Sequence, residues 1–203
     1  MTDRMFCAVV LPDDVRQTLE AIVDPRRDDE WRWTRPESWH ITLAFYAAVE
    51  DWRHESLTER LEAAAARTPS FPLGIEGVGA FPFAKPHRAK VLYAAVDDPT
   101  DSLPGLNRRC VTAASTSGIE VSGDRYVPHL TLARSGPAKD ATRWLRALVG
   151  AYAPQWQVTE IALVQSHLGE GHPRYEVRER FTLGRDIPGL PHRRDADETG
   201  HRG

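Results

Sequence analysis

One five-residue pattern occurs twice in this 203-residue chain: His40-Ile41-Thr42-Leu43-Ala44 returns in the second half as His129-Leu130-Thr131-Leu132-Ala133. Side chains alternate along a strand, so His40 and Thr42 share one face while Ile41 and Leu43 take the other. The second copy reads the same way. Each copy is therefore a strand that buries an aliphatic face and presents an imidazole and a hydroxyl on the opposite one. A lone His-x-Thr is expected by chance in a chain with eight histidines, but the longer repeated match is not.

The flanking segments repeat as well. Met5 to Leu11 reads as a buried strand, and Pro12-Asp13 opens a helix with Val15, Leu19 and Ile22 at helical spacing. Residues 24–38 are charged and Pro-containing, and read as a loop. Trp39 to Tyr46 forms a strand on which Ile41, Leu43 and Phe45 alternate along one face. A helix over 51–67 turns Leu57, Leu61 and Ala64 or Ala65 inward, and Phe71 to Val78 is a strand ended by Gly79. The second half runs in the same order: strand 89–96, helix 101–117 with Leu103, Leu106 and Cys110 inward and Gly118 as its stop, strand 126–133, and helix 140–149 ended by Gly150. Trp156–Ser166 and Arg174–Leu183 are expected to close the fold as a hairpin around Gly169-Glu170-Gly171. Strand–helix–strand–helix–strand thus appears twice, which predicts an internal duplication with a cleft between two lobes. Residues 1–185 are expected to form one bilobal domain. Residues 186–203 are polar, rich in Pro and Gly and without periodicity, and read as a flexible tail.

Composition narrows the function. A net charge of −3 argues against coating long nucleic acid by bulk electrostatics, yet allows a local patch that grips a phosphate. Cys7 and Cys110 lie far apart in sequence, in no C-x-x-C motif, and read as small buried hydrophobes. The apolar run Met5–Leu11 is too short for a membrane span and is followed at once by Pro12-Asp13-Asp14, so a cytoplasmic protein is expected. No G-x-S-x-G, P-loop or dinucleotide fingerprint is present.

The repeated motif carries the chemistry. Imidazole titrates near pH 6.5, so of His40 and His129 one can accept a proton while the other donates one. Transfer at a phosphodiester needs both jobs, on opposite sides of the phosphorus. The hydroxyls of Thr42 and Thr131 can donate to the non-bridging oxygens. Arg134, just beyond the second copy, offers a fork suited to phosphate, although a surface arginine at a strand end is an equal reading. Neither motif supplies a nearby carboxylate or cysteine as third ligand, so no metal site is expected. Two further candidates for touching substrate are Phe45, whose first reading is core packing on the face opposite His40, and Tyr126, just before Pro128-His129. Trp31, Trp33, Trp39 and Trp52 read mainly as packing residues, and His87, Arg88 and Lys90 as a solvated basic loop.

The doubled motif, with Pro128 before its second copy and Arg134 after it, resembles the 2H phosphoesterase superfamily. Within it the chain is most similar to the bacterial and archaeal RNA 2′,3′-cyclic phosphodiesterases, also described as 2′-5′ RNA ligases. The likeness runs from Met5 to Leu183. It includes Gly79-Ala80-Phe81-Pro82 leading to Ala89-Lys90-Val91-Leu92-Tyr93, and Leu163-Val164-Gln165-Ser166 leading to Tyr175-Glu176-Val177. It implies an α+β, bilobal fold: two pseudo-symmetric lobes, each an antiparallel sheet with helices on its outer face, around a central cleft. It also implies a metal-independent enzyme that opens 2′,3′-cyclic phosphates on RNA ends or nucleotides to 2′-phosphates; a monomer without cofactor is expected. By the same resemblance His40 is the acid toward the 3′-oxygen and His129 the base toward water. The same chemistry on another cyclic phosphate (ADP-ribose type), 2′-5′ RNA ligation, and a non-catalytic RNA-end-binding module stand as alternatives. The family continues its first motif as Phe-Leu-Gly, whereas here Phe45 is followed by Tyr46 and Ala47, a change at the cleft edge that bears on substrate fit.

Overall fold

The computed structural model describes residues 2–28, 30–83, 85–122, 125–167, 169 and 173–184. In chain order the elements are β1 (Thr2–Val10), α1 (Asp13–Val23), β2 (Arg32–Trp33), β3 (His40–Glu50), α2 (His54–Ala66), β4 (Phe71–Phe81), β5 (Ala89–Asp97), α3 (Ser102–Thr116), β6 (Val121–Ser122), β7 (His129–Lys139), α4 (Thr142–Ala147), β8 (Tyr152–Val158), β9 (Glu160–His167) and β10 (Arg174–Thr182). The strands join edge to edge in the order β10-β9-β1-β3-β7-β5-β4-β8, with β6 paired to β3 and β2 to β7. Each pairing among the named strands is antiparallel.

β3 and β7, the two motif strands, meet through the single pair Ile41–Leu130. The sheet therefore divides there into two half-sheets, β3-β1-β9-β10 and β7-β5-β4-β8, with the repeated motifs at the seam. This is the expected pair of lobes, but the chain does not fill them half by half. β4, read as the last strand of the first repeat, pairs with β5 and β8 in the second half-sheet. β9 and β10 return to the first, where β9 pairs with β1. The expected strand 156–166 is in fact two strands: β8 ends at Val158, and the chain crosses between half-sheets at Thr159 before β9 begins. Val158 and Ile161 are both buried, so the crossing lies between buried residues with no Gly or Pro at Thr159 to announce it. Hydrophobic period identifies a strand; it does not name the partner. The segment 24–38 also holds more than a loop, since Arg32 and Trp33 pair with Arg134 and Ala133.

The helices cover the aliphatic face. One continuous core runs under both half-sheets and contains Cys7, Ile41, Leu43, Leu61, Leu103, Cys110, Leu130 and Leu132. α3 is fixed to β3 by polar contacts as well: Asn107 Nδ2 donates to the Leu43 carbonyl (2.6 Å) and Tyr46 Oη to the Cys110 carbonyl (3.2 Å). Cys7 and Cys110 are buried free thiols with their sulfurs 3.8 Å apart. α3 stops as expected, Gly118 adopting φ 72° where a Cβ would be strained. A second, smaller apolar cluster lies on the opposite face of the first half-sheet: Phe6, Ala8, Ala162 and Val164, with Val10, Phe45 and Tyr175 against them. Among the described residues no helix is long and apolar enough to cross a membrane. Glu170 and Gly171 of the expected turn, His172, and the tail 186–203 lie outside the described residues.

Candidate active site

The two motif strands carry the same irregularity at the same place. On β3, Ala44 faces Cys7 and Thr42 faces Ala8, so Leu43 is an extra residue. On β7, Ala133 faces Leu92 and Thr131 faces Tyr93, so Leu132 is extra. Each is a β-bulge, and each buries two consecutive residues, Leu43 with Ala44 and Leu132 with Ala133. The expected alternation holds up to that point: Ile41, Leu43, Leu130 and Leu132 are buried, while His40, Thr42, His129 and Thr131 are half-buried. Beyond the bulge the phase reverses. Phe45, expected opposite His40, lies on the same face as His40, in the cluster of Phe6 and Tyr175. Arg134, at the equivalent position of the second copy, returns to the face of Thr131, and its Nη2 lies 3.4 Å from Thr131 Oγ1.

The antiparallel register Ile41–Leu130 brings the two motifs into one site. Carried one residue each way, it sets His40 across from Thr131 and Thr42 across from His129, a local two-fold arrangement. Each imidazole is then fixed in the same manner. His40 Nδ1 lies 2.7 Å from the Ser38 carbonyl and His129 Nδ1 lies 2.8 Å from the Val127 carbonyl. A carbonyl only accepts, so Nδ1 carries the hydrogen in both rings and Nε2 is left as the working nitrogen.

Aromatic rings hold each imidazole in place. Phe6 stacks on His40 at 4.5 Å between centroids and Tyr175 meets it edge-on at 5.2 Å. Phe81 and Tyr93 meet His129 edge-on at 4.9 and 5.7 Å. Gly79, paired with Tyr93 across β4 and β5, makes room for this: a Cβ there would lie 2.2 Å from the Tyr93 hydroxyl oxygen. Phe6, Phe81, Tyr93 and Tyr175 were not found as site residues by sequence reasoning. Three of them lie in the segments that carry the family resemblance, but the contact with histidine depends on pairings between remote strands.

Burial in this ring cage disfavours the charged imidazole. It lowers His40 to a pKa of about 4; the Ser38 hydrogen bond pushes the other way, and the positive charges of Arg134 and His129 add to the lowering. His129 is lowered for the same first reason, opposed by its Val127 bond and helped by Arg134. Both are neutral at pH 7 in the free cleft.

Arg134 has company. Arg32, Thr34, Arg35, Ser38, Arg134 and Tyr175 line a recess of about 70 Å³ beside His40. Arg32 and Arg35 were missed because the segment 24–38 shows no periodicity, and the pairing of β2 with β7 leaves no local sequence mark. Tyr126 does not join the site. It packs against the main core, its hydroxyl is buried without a hydrogen-bond partner among the described residues, and burial pushes its pKa well up. Among the described residues no three of His, Cys, Asp and Glu converge as metal ligands would.

Comparison with known proteins places this geometry. The model of the 2′-5′ RNA ligase superfamily matches residues 11–170. A Thermus thermophilus protein named RNA 2′,3′-cyclic phosphodiesterase is 30% identical over 185 residues, which cover 89% of this chain and 90% of that relative. A Geobacillus stearothermophilus protein of the same name is 29% identical over 182 residues; these are 88% of this chain but 56% of the relative, so the chain spans little more than half its length. The crystal structure of E. coli LigT complexed with 3′-AMP superposes with a TM-score of 0.73 at 26% identity, covering 90% of this chain and 99% of that one.

Proposed function

Because this chain belongs to the 2′-5′ RNA ligase superfamily, we propose that it is an RNA 2′,3′-cyclic phosphodiesterase in which His40 and His129 act as an acid and base pair. The observation that carries this reading is the matched presentation of the two rings, each with Nδ1–H on a backbone carbonyl and Nε2 without a partner among the described residues, across a seam that sets each histidine opposite the other copy's threonine. The relatives named RNA 2′,3′-cyclic phosphodiesterase support the substrate class. The proposed substrate is an RNA end or nucleotide carrying the cyclic phosphate.

On this geometry one neutral Nε2 takes a proton from water as its oxygen attacks phosphorus; the P–O3′ bond breaks, and the 3′-oxygen leaves with a proton from the other imidazolium. The product carries a 2′-phosphate and a 3′-hydroxyl. Thr42 and Thr131 donate to the non-bridging oxygens, and Arg134 receives the phosphate charge. An acid with a lowered pKa needs help to hold its proton at pH 7. The bound phosphate supplies it, since an anion next to Nε2 favours the charged ring. The acid and base roles follow the family resemblance, His40 toward the 3′-oxygen and His129 toward water; burial lowers both rings and leaves both neutral in the free cleft, so it does not reverse that division.

The test is to incubate a dinucleotide ending in a 2′,3′-cyclic phosphate with the protein in EDTA and identify the product. Turnover to a 2′-phosphate supports the proposal. A 3′-phosphate product would reject the stated bond cleavage, and no turnover by the folded protein would reject the activity.

A further inference from the structure

A second charged feature lies on the back of the first half-sheet. α2 and α3 run antiparallel there, tied by Arg53 Nη1 donating to the Ser117 carbonyl (2.6 Å) and by the hydroxyls of Ser56 and Ser117 (3.2 Å). Between them an open groove of about 510 Å³ is walled by Arg60 and Arg67 from the α2 side and by Arg108 and Arg109 from α3. Its floor is small: Ala63, Ala64, Gly105 and Ala113.

The charge in this groove is not spent internally. Among the described residues none of the four guanidiniums pairs with a carboxylate, and only Arg60 has a side-chain bond, to Ser56 Oγ at 3.3 Å. Arg60, Ala63, Ala64 and Arg67 fall at i, i+3, i+4 and i+7, one stripe of the helix, and Glu55, Glu59 and Glu62 lie off it. α3 contains no acidic residue at all. Of the acids just before it, Asp98 accepts from the Ser102 and Leu103 amides (3.1 and 2.8 Å), and the N-cap Asp101 forms no ion pair with the four arginines among the described residues. Four exposed arginines without an ion pair among the described residues, on a chain whose net charge is −3, are a local concentration of positive charge open to an anion.

We propose that this groove binds the phosphate backbone of RNA, as a second contact for substrates longer than the end being processed; the choice of RNA rests on the function proposed above. Three features of the groove select this ligand. Arginine forks match phosphate oxygens. Among the described residues no aromatic lines the groove, so they offer no platform for a base and the grip is blind to sequence. Nor does a large apolar anchor line it among the described residues, unlike the centre of a protein–protein interface. The groove lies on the side of β3 that α3 covers, away from the face that presents His40, so a dinucleotide held at the histidines does not reach it.

The experiment uses a labelled 20-nucleotide RNA with an ordinary 3′-hydroxyl, so that binding is read without catalysis. Its affinity is measured by fluorescence anisotropy over a range of salt for the wild-type chain and for R60Q/R67Q/R108Q/R109Q. The variant is expected to bind at least about tenfold more weakly, and its slope of log K against log salt should fall by about 2 to 3, close to 0.7 for each phosphate no longer neutralised. Dinucleotide cyclic-phosphate turnover should be unchanged. Should the quadruple variant fail to fold, R60Q/R67Q and R108Q/R109Q are read separately, each with about half the change in slope. Unchanged affinity and slope in a folded variant would overturn the proposal, as would binding of an acidic peptide in place of RNA. If the wild type binds RNA through the groove but turns over no dinucleotide, the groove stands and the catalytic reading fails.

Discussion

The two copies of the motif share a backbone and differ in what they carry beyond it. Both bulge at the same residue, both fix Nδ1 on the carbonyl two residues upstream, and both hold the ring against aromatic side chains. The residue that the bulge turns back toward the cleft is Phe45 in one copy and Arg134 in the other. Phe45 packs with Phe6 and Tyr175 and lies under the guanidinium of Arg4 at 4.5 Å. Arg134 reaches Thr131 Oγ1 with one nitrogen, has no ion pair among the described residues, and lines the recess beside Arg32 and Arg35. Symmetry thus supplies two equivalent imidazoles, and the break in symmetry gives the cleft one apolar and one cationic end. On the proposed function, that break gives the bound phosphate a direction in a site that would otherwise read the same both ways.

If the copies act as one unit, H40A and H129A should each lower kcat by about 10²–10⁴-fold, and the double variant should fall little below the worse single. Effects that multiply would break the pairing and mean that each copy works alone. The cationic end should cost less to remove. R134Q should weaken kcat/KM by roughly 10–100-fold, and T42V and T131V by similar or smaller factors, all below the histidine effects. Steady-state kinetics on one dinucleotide substrate ranks all of them, and a threonine variant as impaired as a histidine variant would show that the division of labour is wrong.

The burial of the rings makes a pH prediction. Folded His40 stays neutral to about pH 4, while an unfolded imidazole takes its proton near 6.5. The unfolded chain therefore binds more protons between those values. This contribution to stability is complete above about pH 6.5 and is lost as pH falls toward 4. H40Q should flatten the decline, and H129Q should act in the same direction, which denaturant midpoints at pH 7 and pH 4.5 would reveal. An unchanged pH dependence in H40Q would mean that the ring is not held in an apolar cage. The smallest effect belongs to the apolar end: F45L, close in volume, should change kcat by less than about threefold and stability by less than about 1.5 kcal/mol. A large drop in the activity of F45L would instead make Phe45 a substrate contact.

Much of this was legible in the sequence, and the remainder fell short for one reason. The alternation of Ile41, Leu43, Leu130 and Leu132 against His40, Thr42, His129 and Thr131 is a local property of a strand, and the structure keeps it. It also keeps the helix of Leu57 and Leu61 and the stop at Gly118. Phe45 went to the wrong face because a bulge depends on the partner strand, and Leu43-Ala44 carries no mark of it. The exchange of β4 and β9 between half-sheets, the pairing of Arg32 beside Arg134, and the rings around each histidine all join residues distant in sequence. Tyr126 was placed by its proximity to His129 along the chain, but it turns into the core. Local patterning fixed the reactive groups; the environment that tunes them is long-range.

The claim that the two histidines are presented alike through Nε2 can be read directly from long-range ¹H–¹⁵N NMR of the imidazole nitrogens in the free protein at pH 7. His40 and His129 should both be neutral, with protonated Nδ1 and bare Nε2. An Nε2–H tautomer at either ring, or an imidazolium at His40, would contradict the claim.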